Sequence, residues 1–311
     1  MSGARSEQFG TVNDARPRVA VLGMGRMGAA MANRIAGQGF PLAVYNRDAE
    51  RAKAVASETG AVPTPTPADA ARWTAGAGRP GIVITSLADD TACRAVYLGE
   101  SGLAGALAPG TVVCDTSTIS PELARELDSV LAGCGSSFLN SPVSGSVPAA
   151  LSGGLTLMVG GDPAALETAR PVLEALGSRV THVGGPGSGA VVKLAVNSIL
   201  HTLNQAVSES IVLVEKAGVD RSVFYDVIAG SAVAAPFVGY KRTAFVHPDQ
   251  VPVAFSIALM AKDLGLVQAL ADAVGASLPG AATAGEVAAR AISRGYGDQD
   301  MSAIARFMRE Q

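Results

Sequence analysis

The sequence predicts an α/β domain built on a parallel sheet, then an all-α domain, the two joined by one long interdomain helix. Three observations predict this. Strand-length apolar runs alternate with helix-length segments over residues 17–184. A glycine- and proline-rich break at residues 184–189 is followed by helical periodicity without a strand-like run. The chain has 311 residues, 48% of them hydrophobic and 16% charged, enough apolar material for two cores.

The elements follow in order. Residues 1–16 are polar and read as a disordered tail. Residues 19–22 form a β-rich run ended by glycine; residues 26–36 then read as a helix closed by Gly37 and Gly39. Residues 42–45, 82–87 and 111–114 read as strands, and 49–58 as a helix. The prolines of residues 63–67 open a further helix. Two later strands, 155–159 and 180–183, flank a helix whose start is marked by Asp162 at the N-cap and Pro163 at the first helical position. Strands alternating with helices imply a parallel sheet covered on both faces. The first domain accordingly spans residues 17–184, and 185–217 the connecting helix, of which residues 190–217, free of internal glycine and proline, would run on the order of 40 Å. Residues 218–311, broken at Gly230, near Pro248 to Pro252, at Pro279 and at Gly295/Gly297, form the all-helical domain.

Bulk composition removes several function classes. The 24 basic and 27 acidic residues nearly cancel and form no basic run, so a nucleic-acid partner is not expected. No signal peptide core and no stretch of 18 uninterrupted apolar residues occurs, so the protein is expected to be cytoplasmic with no membrane partner. Cys93, Cys114 and Cys134 are widely spaced and odd in number, as suits free thiols that take no part in catalysis. The scattered His182, His201 and His247 offer no metal-ligand spacing, and no metal is expected.

The turn Gly23-Met24-Gly25-Arg26-Met27-Gly28 follows a strand and opens a helix, the context a dinucleotide site requires. Gly23 permits the tight turn, Gly25 admits a pyrophosphate to the backbone, and Gly28 allows close helix packing, while the helix N-terminus offers N–H groups to the phosphates. About 20 residues on, where an acidic ribose ligand would select NAD, stands Asn46 followed by Arg47. A carboxylate there would repel a 2′-phosphate, whereas Asn46 can donate to it and Arg47 can pair with it, so NADP (NADPH) is the expected cofactor. Asp48 can instead cap the next helix.

Lys193 and Asn197 lie four residues apart, hence on one face of the long helix, amid Val191, Val192, Leu194, Ala195 and Val196. An apolar wall desolvates a lysine and lowers its pKa toward neutrality, which fits it for proton exchange; an isolated lysine of this kind would otherwise snorkel to the surface.

These features recur in a family pattern. The chain resembles the β-hydroxyacid dehydrogenases from about Arg18 to Met308, through five motifs in order. They are the glycine turn; Asp115-Thr-Ser-Thr118 with Pro121; Pro142-Val-Ser-Gly145 with a Gly-Gly-Leu-Thr-Leu-Met-Val-Gly-Gly run downstream; Gly187-x-Gly189-x-x-x-Lys193-x-x-x-Asn197; and Lys262-Asp263-Leu264-Gly265-Leu266. The resemblance implies an NADP-binding Rossmann-type first domain. It also implies hydride transfer between a short β-hydroxyacid and its semialdehyde or keto acid, with Lys193 as general acid/base and Asn197 orienting the substrate. It further implies that Ser144 and Gly145 hold the substrate carboxylate, that Thr118 and Lys262 face the cofactor, and that Leu87 and Ala88 lie along it. A homodimer or dimer of dimers through the helical domain is implied as well, with Phe245, Phe255 and Phe307 available for it.

Three positions depart from the family pattern. Ser146 stands where a second glycine is common, adding a hydroxyl at the carboxylate end; Asn140 replaces an aspartate; Ala88 replaces a proline. Imine reduction on the same scaffold is an alternative, although such enzymes usually carry Asp or Tyr in place of Lys193. Decarboxylating 6-phosphogluconate dehydrogenases share the Lys/Asn spacing, but usually with His at Val196 and a longer helical tail. A noncatalytic NADP-binding module is the alternative of another class.

Overall fold

A computed structural model describes residues 16–76 and 78–311; the tail expected over residues 1–16 lies outside them except for Arg16. Arg16 donates to the Gln38 carbonyl and its guanidinium sits 4.8 Å from the Phe40 ring centroid, so this last residue of the expected tail is tied to the fold. The chain divides into two compact units, the first ending at Ala190 and the second spanning Val191–Gln311.

The first unit runs β1 (Val19–Leu22), α1 (Arg26–Gly37), β2 (Leu42–Tyr45), α2 (Ala49–Thr59), β3 (Val62–Pro63), α3 (Pro67–Thr74), β4 (Ile82–Thr85), α4 (Asp90–Leu98), β5 (Val112–Asp115), α5 (Pro121–Gly133), β6 (Ser137–Asn140), β7 (Val143–Ser144), α6 (Val147–Ser152), β8 (Leu155–Gly161), α7 (Pro163–Leu176) and β9 (Gly177–Gly184). Its strands form one sheet in the order β3-β2-β1-β4-β5-β6-β8-β7, with β9 beside β8. Side chains alternate between two cores: Val19 and Val21 enter the core on one face, Ala20 and Leu22 that on the other. Both faces are thereby covered, which is why β1 and β4 are wholly buried and apolar but for Thr85.

The sheet is parallel as expected, with a local reversal at one side. β3 through β6 are parallel, but β8 runs antiparallel to both β6 and β7. The physical reason is connection length. Helix α6 has six residues, too few to carry the chain back along the sheet face as a parallel crossover requires, so the chain reverses instead. β3, β6 and β7 gave no strand signal of their own, β3 and β7 because they are two residues long. The expected strand over 82–87 ends at Thr85, leaving Ser86 and Leu87 on the following loop. The proline-rich segment does open a helix, α3, with Thr66 capping Asp69 N and Pro67 in its first turn, although Pro63 itself belongs to β3.

Helix α8 (Ser188–Lys216) is helical over less of the span expected of it, residues 185–187 forming a turn with Gly187 at φ +84°. The boundary between the units falls inside its first turn. Its start is seated on the sheet: a Cβ at Gly189 would lie 2.3 Å from the Asn140 carbonyl oxygen and 2.6 Å from that of Met158, and Asn140 Oδ1 accepts the Ala190 amide. Asn140 therefore caps a helix as well as ending a strand.

The second unit continues with α9 (Arg221–Ala229), α10 (Pro236–Val246), α11 (Ile257–Val274), α12 (Pro279–Ser293) and α13 (Ile304–Arg309), and among the described residues it contains no strand. Its core gathers Leu194, Ile211, Tyr225, Phe237, Met260 and Ile304. The buried Asp300 carboxylate accepts from Lys241 Nζ at 2.6 and 2.8 Å and from the Ala254, Phe255 and Ser302 amides, pinning the loop before α11 and the start of the last helical segment to α10. Phe245 and Phe307, expected to be available for an interface, are instead inside this core. No helix among the described residues is long and apolar enough to cross a membrane, and none of their His, Cys, Asp and Glu side chains form a metal-binding group.

Candidate functional site

The register of the parallel strands brings their C-terminal ends level: Leu22 pairs with Tyr45 and Thr85, Thr85 with Asp115, and Asp115 with Asn140. The loops after β1, β2, β4, β5 and β6 therefore leave one edge of the sheet, the edge at which ligands of open α/β sheets bind.

At that edge the glycines are required by contact. A Cβ at Gly23, whose φ is +98°, would fall 2.2 Å from the Ser86 carbonyl oxygen, and one at Gly28 would fall 1.8 Å from that of Gly23. Gly25 is exposed, with nothing within 4 Å of where its Cβ would stand, and no side chain caps α1. By contrast, Asp48, Thr66, Asp89, Ser120 and Asp162 cap α2, α3, α4, α5 and α7. The open start of α1, with space over Gly25 at its N-cap, fits a phosphate group. Met24 is buried, Met27 half-buried and Arg26 exposed. Asn46 Oδ1 accepts the Met24 amide at 2.9 Å and its Nδ2 donates to the Asp48 carbonyl at 3.0 Å. Asp48 caps Glu50 N at 3.1 Å and lies 3.4 Å from Arg51 Nε, while Arg47 is exposed at the same corner.

The loops after β4 and β5 are tied together by groups the sequence reading did not single out. The Leu87 amide donates to Ser117 Oγ at 2.8 Å. Buried Asp115 accepts from Thr85 Oγ1 at 2.8 Å and from the Ser117 amide at 3.0 Å, and Tyr97 Oη lies 2.7 Å from Thr85 Oγ1. Burial raises the Asp115 carboxyl against the opposing pull of Ser117 and Thr85. Thr118 follows, half-buried, and Ala88 is exposed on the neighbouring loop. The Asp-Thr-Ser-Thr motif thus holds two loops in place, a role visible only from the pairing of β4 with β5.

Ser144 lies in β7, paired with Thr156, and is half-buried. Gly145 has φ +140°, and a Cβ there would meet Leu155 Cδ2 at 2.8 Å. Ser146 occupies the N-cap position of α6, but its hydroxyl makes no capping bond.

The second unit brings Lys193, Asn197 and Lys262 into one cluster and adds Asp263 and His201. Half-buried Lys193 precedes Asn197 by one turn of α8. Asn197 is buried and donates through Nδ2 to Asp263 Oδ2 at 2.6 Å, leaving its Oδ1 without a partner. Lys262 Nζ lies 2.7 Å from Asp263 Oδ1, and His201 Nε2 lies 3.6 Å from Oδ2. Burial would raise the Asp263 carboxyl, but facing His201 and Lys262 hold it below the ordinary range. Burial pulls the Lys193 ammonium down to about 8, an effect that Asp263 opposes and Lys262 reinforces. Such an amine can donate or accept a proton near neutral pH. Asp263 was legible as the partner of Lys262 in its motif; His201 was legible as the next position of the 193/197 face.

A family profile described as the NAD-binding domain of 6-phosphogluconate dehydrogenase matches residues 18–184, and one described as NAD-binding of NADP-dependent 3-hydroxyisobutyrate dehydrogenase matches residues 187–308. The chain is 33% identical over 294 residues to an NAD-dependent L-serine dehydrogenase of Pseudomonas aeruginosa, covering 92% of this chain and 96% of that one. It is 32% identical over 295 residues to glyoxylate/succinic semialdehyde reductase 1 of Arabidopsis thaliana, covering 94% and 99%. Among solved structures, the 3-hydroxyisobutyrate dehydrogenase of Mycobacterium tuberculosis with L-serine superposes with a TM-score of 0.81 at 32% identity, over 94% of this chain and 99% of that one.

Proposed function

The chain belongs to the β-hydroxyacid dehydrogenase family and is an NAD(P)-dependent oxidoreductase; from that premise we propose that it interconverts a short β-hydroxyacid and its semialdehyde or keto acid, using NADP(H) and Lys193 as general acid/base. The observation that carries this reading is Lys193 itself, a half-buried lysine brought down to about 8, one helical turn from an asparagine with an unpaired oxygen.

When bound, the nicotinamide accepts or supplies the hydride. The chain's own residues do the rest. In reduction, Lys193 as ammonium delivers a proton to the substrate oxygen as the carbonyl carbon is reduced; in oxidation, the neutral amine takes that proton. Asn197, its amide nitrogen committed to Asp263, presents its oxygen toward a hydroxyl or an ammonium group. Ser144, Gly145 and Ser146 offer hydroxyls and backbone N–H to the substrate carboxylate, the uncommitted Ser146 hydroxyl adding a donor. The turn from Gly23 to Gly28 would hold the pyrophosphate, with Leu87, Ala88, Thr118 and Lys262 along the rest of the cofactor.

NADP is favoured over NAD by the corner at Asn46. An aspartate there could accept the Met24 amide equally well but would bring a negative charge toward a 2′-phosphate; Asn46 keeps the bond and removes the charge, and exposed Arg47 supplies a positive one. Asp48, bound to Glu50 N and Arg51, is already engaged. The Pseudomonas relative is NAD-dependent and the profile matched by the second unit is described for an NADP-dependent enzyme, so the choice rests on this corner.

The working form under this reading is a cytoplasmic homodimer or dimer of dimers through the helical unit. Its support is the exposed apolar side chains Ile199 and Leu213 on α8 and Val223 and Val227 on α9, each 60–70% exposed; a monomer by light scattering at micromolar concentration contradicts it.

The reaction is tested by a screen of short aldehyde and keto acids following NADPH absorbance, with imines included. Turnover of at least one such acid is expected. Reduction of imines alone, or cofactor binding with no turnover, overturns the assignment.

A further inference from the structure

One buried titratable group of the cluster has no task in this reaction. His201 lies two turns beyond Lys193, on the face that carries Asn197, and is fully buried. Its ring stacks on Phe255 with centroids 5.7 Å apart and planes at 29°. Neither ring nitrogen has a hydrogen-bond partner. Unpaired buried polar atoms destabilise a fold, and an apolar side chain would fill the same space without that cost. What the imidazole has that a leucine lacks is an N–H within reach of Asp263 Oδ2, 3.6 Å away, too long for a hydrogen bond but a shift of a few tenths of an ångström from one.

We infer that His201 is a positioning residue for the reaction, acting through Asp263 on Asn197; the inference rests on the reaction proposed above. The Asp263 carboxylate is shared. Oδ1 faces Lys262 Nζ on its own helix, and Oδ2 takes Asn197 Nδ2 and faces His201, both from α8. Lys193, also on α8, is the further charged group that this carboxylate influences. With an N–H of His201 beside Oδ2, the carboxylate keeps that oxygen on the α8 side, where it fixes the Asn197 amide with its oxygen free, one helical turn from Lys193. Without His201, Lys262 is the stronger attraction, and the carboxylate can turn toward it and release the amide. The arrangement follows a general pattern in which a group that orients the substrate is itself held by another.

The test pairs kinetics with an observation independent of turnover. His201→Leu keeps the apolar packing and removes the N–H; His201→Gln restores an N–H donor. His201→Leu should lower kcat on the order of tenfold, a fraction of the cost of an ångström of misplacement. Melting temperature should not fall in His201→Leu, NADPH affinity by fluorescence titration should stay at the wild-type value, and His201→Gln should recover most of the loss in kcat. In protein labelled with ¹⁵N-histidine, the His201 resonances, assigned by substitution of His182 and His247, should show an Nε2 proton and should move in Asp263→Asn. Wild-type kcat in His201→Leu, a loss that His201→Gln does not recover, a loss matched by a fall in melting temperature, or His201 resonances indifferent to Asp263→Asn would each overturn the inference. Absence of turnover in the wild-type protein is a different result and strikes the proposed reaction, while the spectra still report whether His201 and Asp263 are coupled.

Discussion

Asn46 Oδ1 accepts the Met24 amide at 2.9 Å, so the residue that follows β2 also holds the glycine turn that follows β1. One side chain thereby sets both the shape of the turn and the charge at the ribose corner.

Cofactor choice follows from that bond. NADPH should have the higher kcat/KM, and Asn46→Asp, which keeps an acceptor for Met24, should shift preference toward NADH by lowering the NADPH value most. Paired measurements with both cofactors check this. Equal or better use of NADH by the wild-type enzyme would count against the NADP assignment.

Lys193→Ala should cost turnover about 10²- to 10⁴-fold, the span typical of a general acid or base. NADPH affinity should hold, since the glycine turn and Arg47 belong to other elements. Retained turnover within a few-fold in a variant that binds NADPH would remove Lys193 from the mechanism.

The pH dependence has a definite sign. Lys193 titrates near 8, depressed by burial. Reduction needs the ammonium, so its rate should be full below about pH 8 and fall above it; oxidation needs the neutral amine and should rise through the same pH. Profiles of kcat/KM in both directions check this, and limbs of the same slope in the two directions would contradict it.

Gly189→Ala should disrupt the start of α8, because its Cβ would stand 2.3 Å from the Asn140 carbonyl oxygen, in backbone that cannot yield cheaply. Thermal melting should show a loss of roughly 1–3 kcal/mol or more. Gly25→Ala, with nothing within 4 Å, should melt like wild type but bind NADPH more weakly.

Breaking the buried Lys241–Asp300 pair by Asp300→Ala should destabilise by about 3–5 kcal/mol, since it strands a buried ammonium and three backbone amides. Denaturant unfolding checks this. The Asp300 carboxyl is held low by Lys241 and the amides against its burial, so this contribution is present above the ordinary carboxylate pKa and is lost as pH falls through the lowered one.

The sequence by itself determined what depends on neighbours along the chain. The strand–turn–helix of residues 19–37, the cap at Asp162, the long glycine-free helix and the 193/197 spacing are all local: periodicity, capping chemistry and backbone sterics act within a few residues. The five motifs added their order. What tertiary structure decided depends on partners far away in sequence. The reversal of β8 against β6, the two-residue strands β3 and β7, and the burial of Phe245 and Phe307 were set by connection length and packing, which leave no local signature. The same holds for the site. Lys193 and Asn197 were legible because one helix carries both. Asp263 meets Asn197 across 66 positions and Leu87 meets Ser117 across 30, so the roles of Asp263, His201 and Ser117 emerged only when α11 packed on α8 and β4 paired with β5.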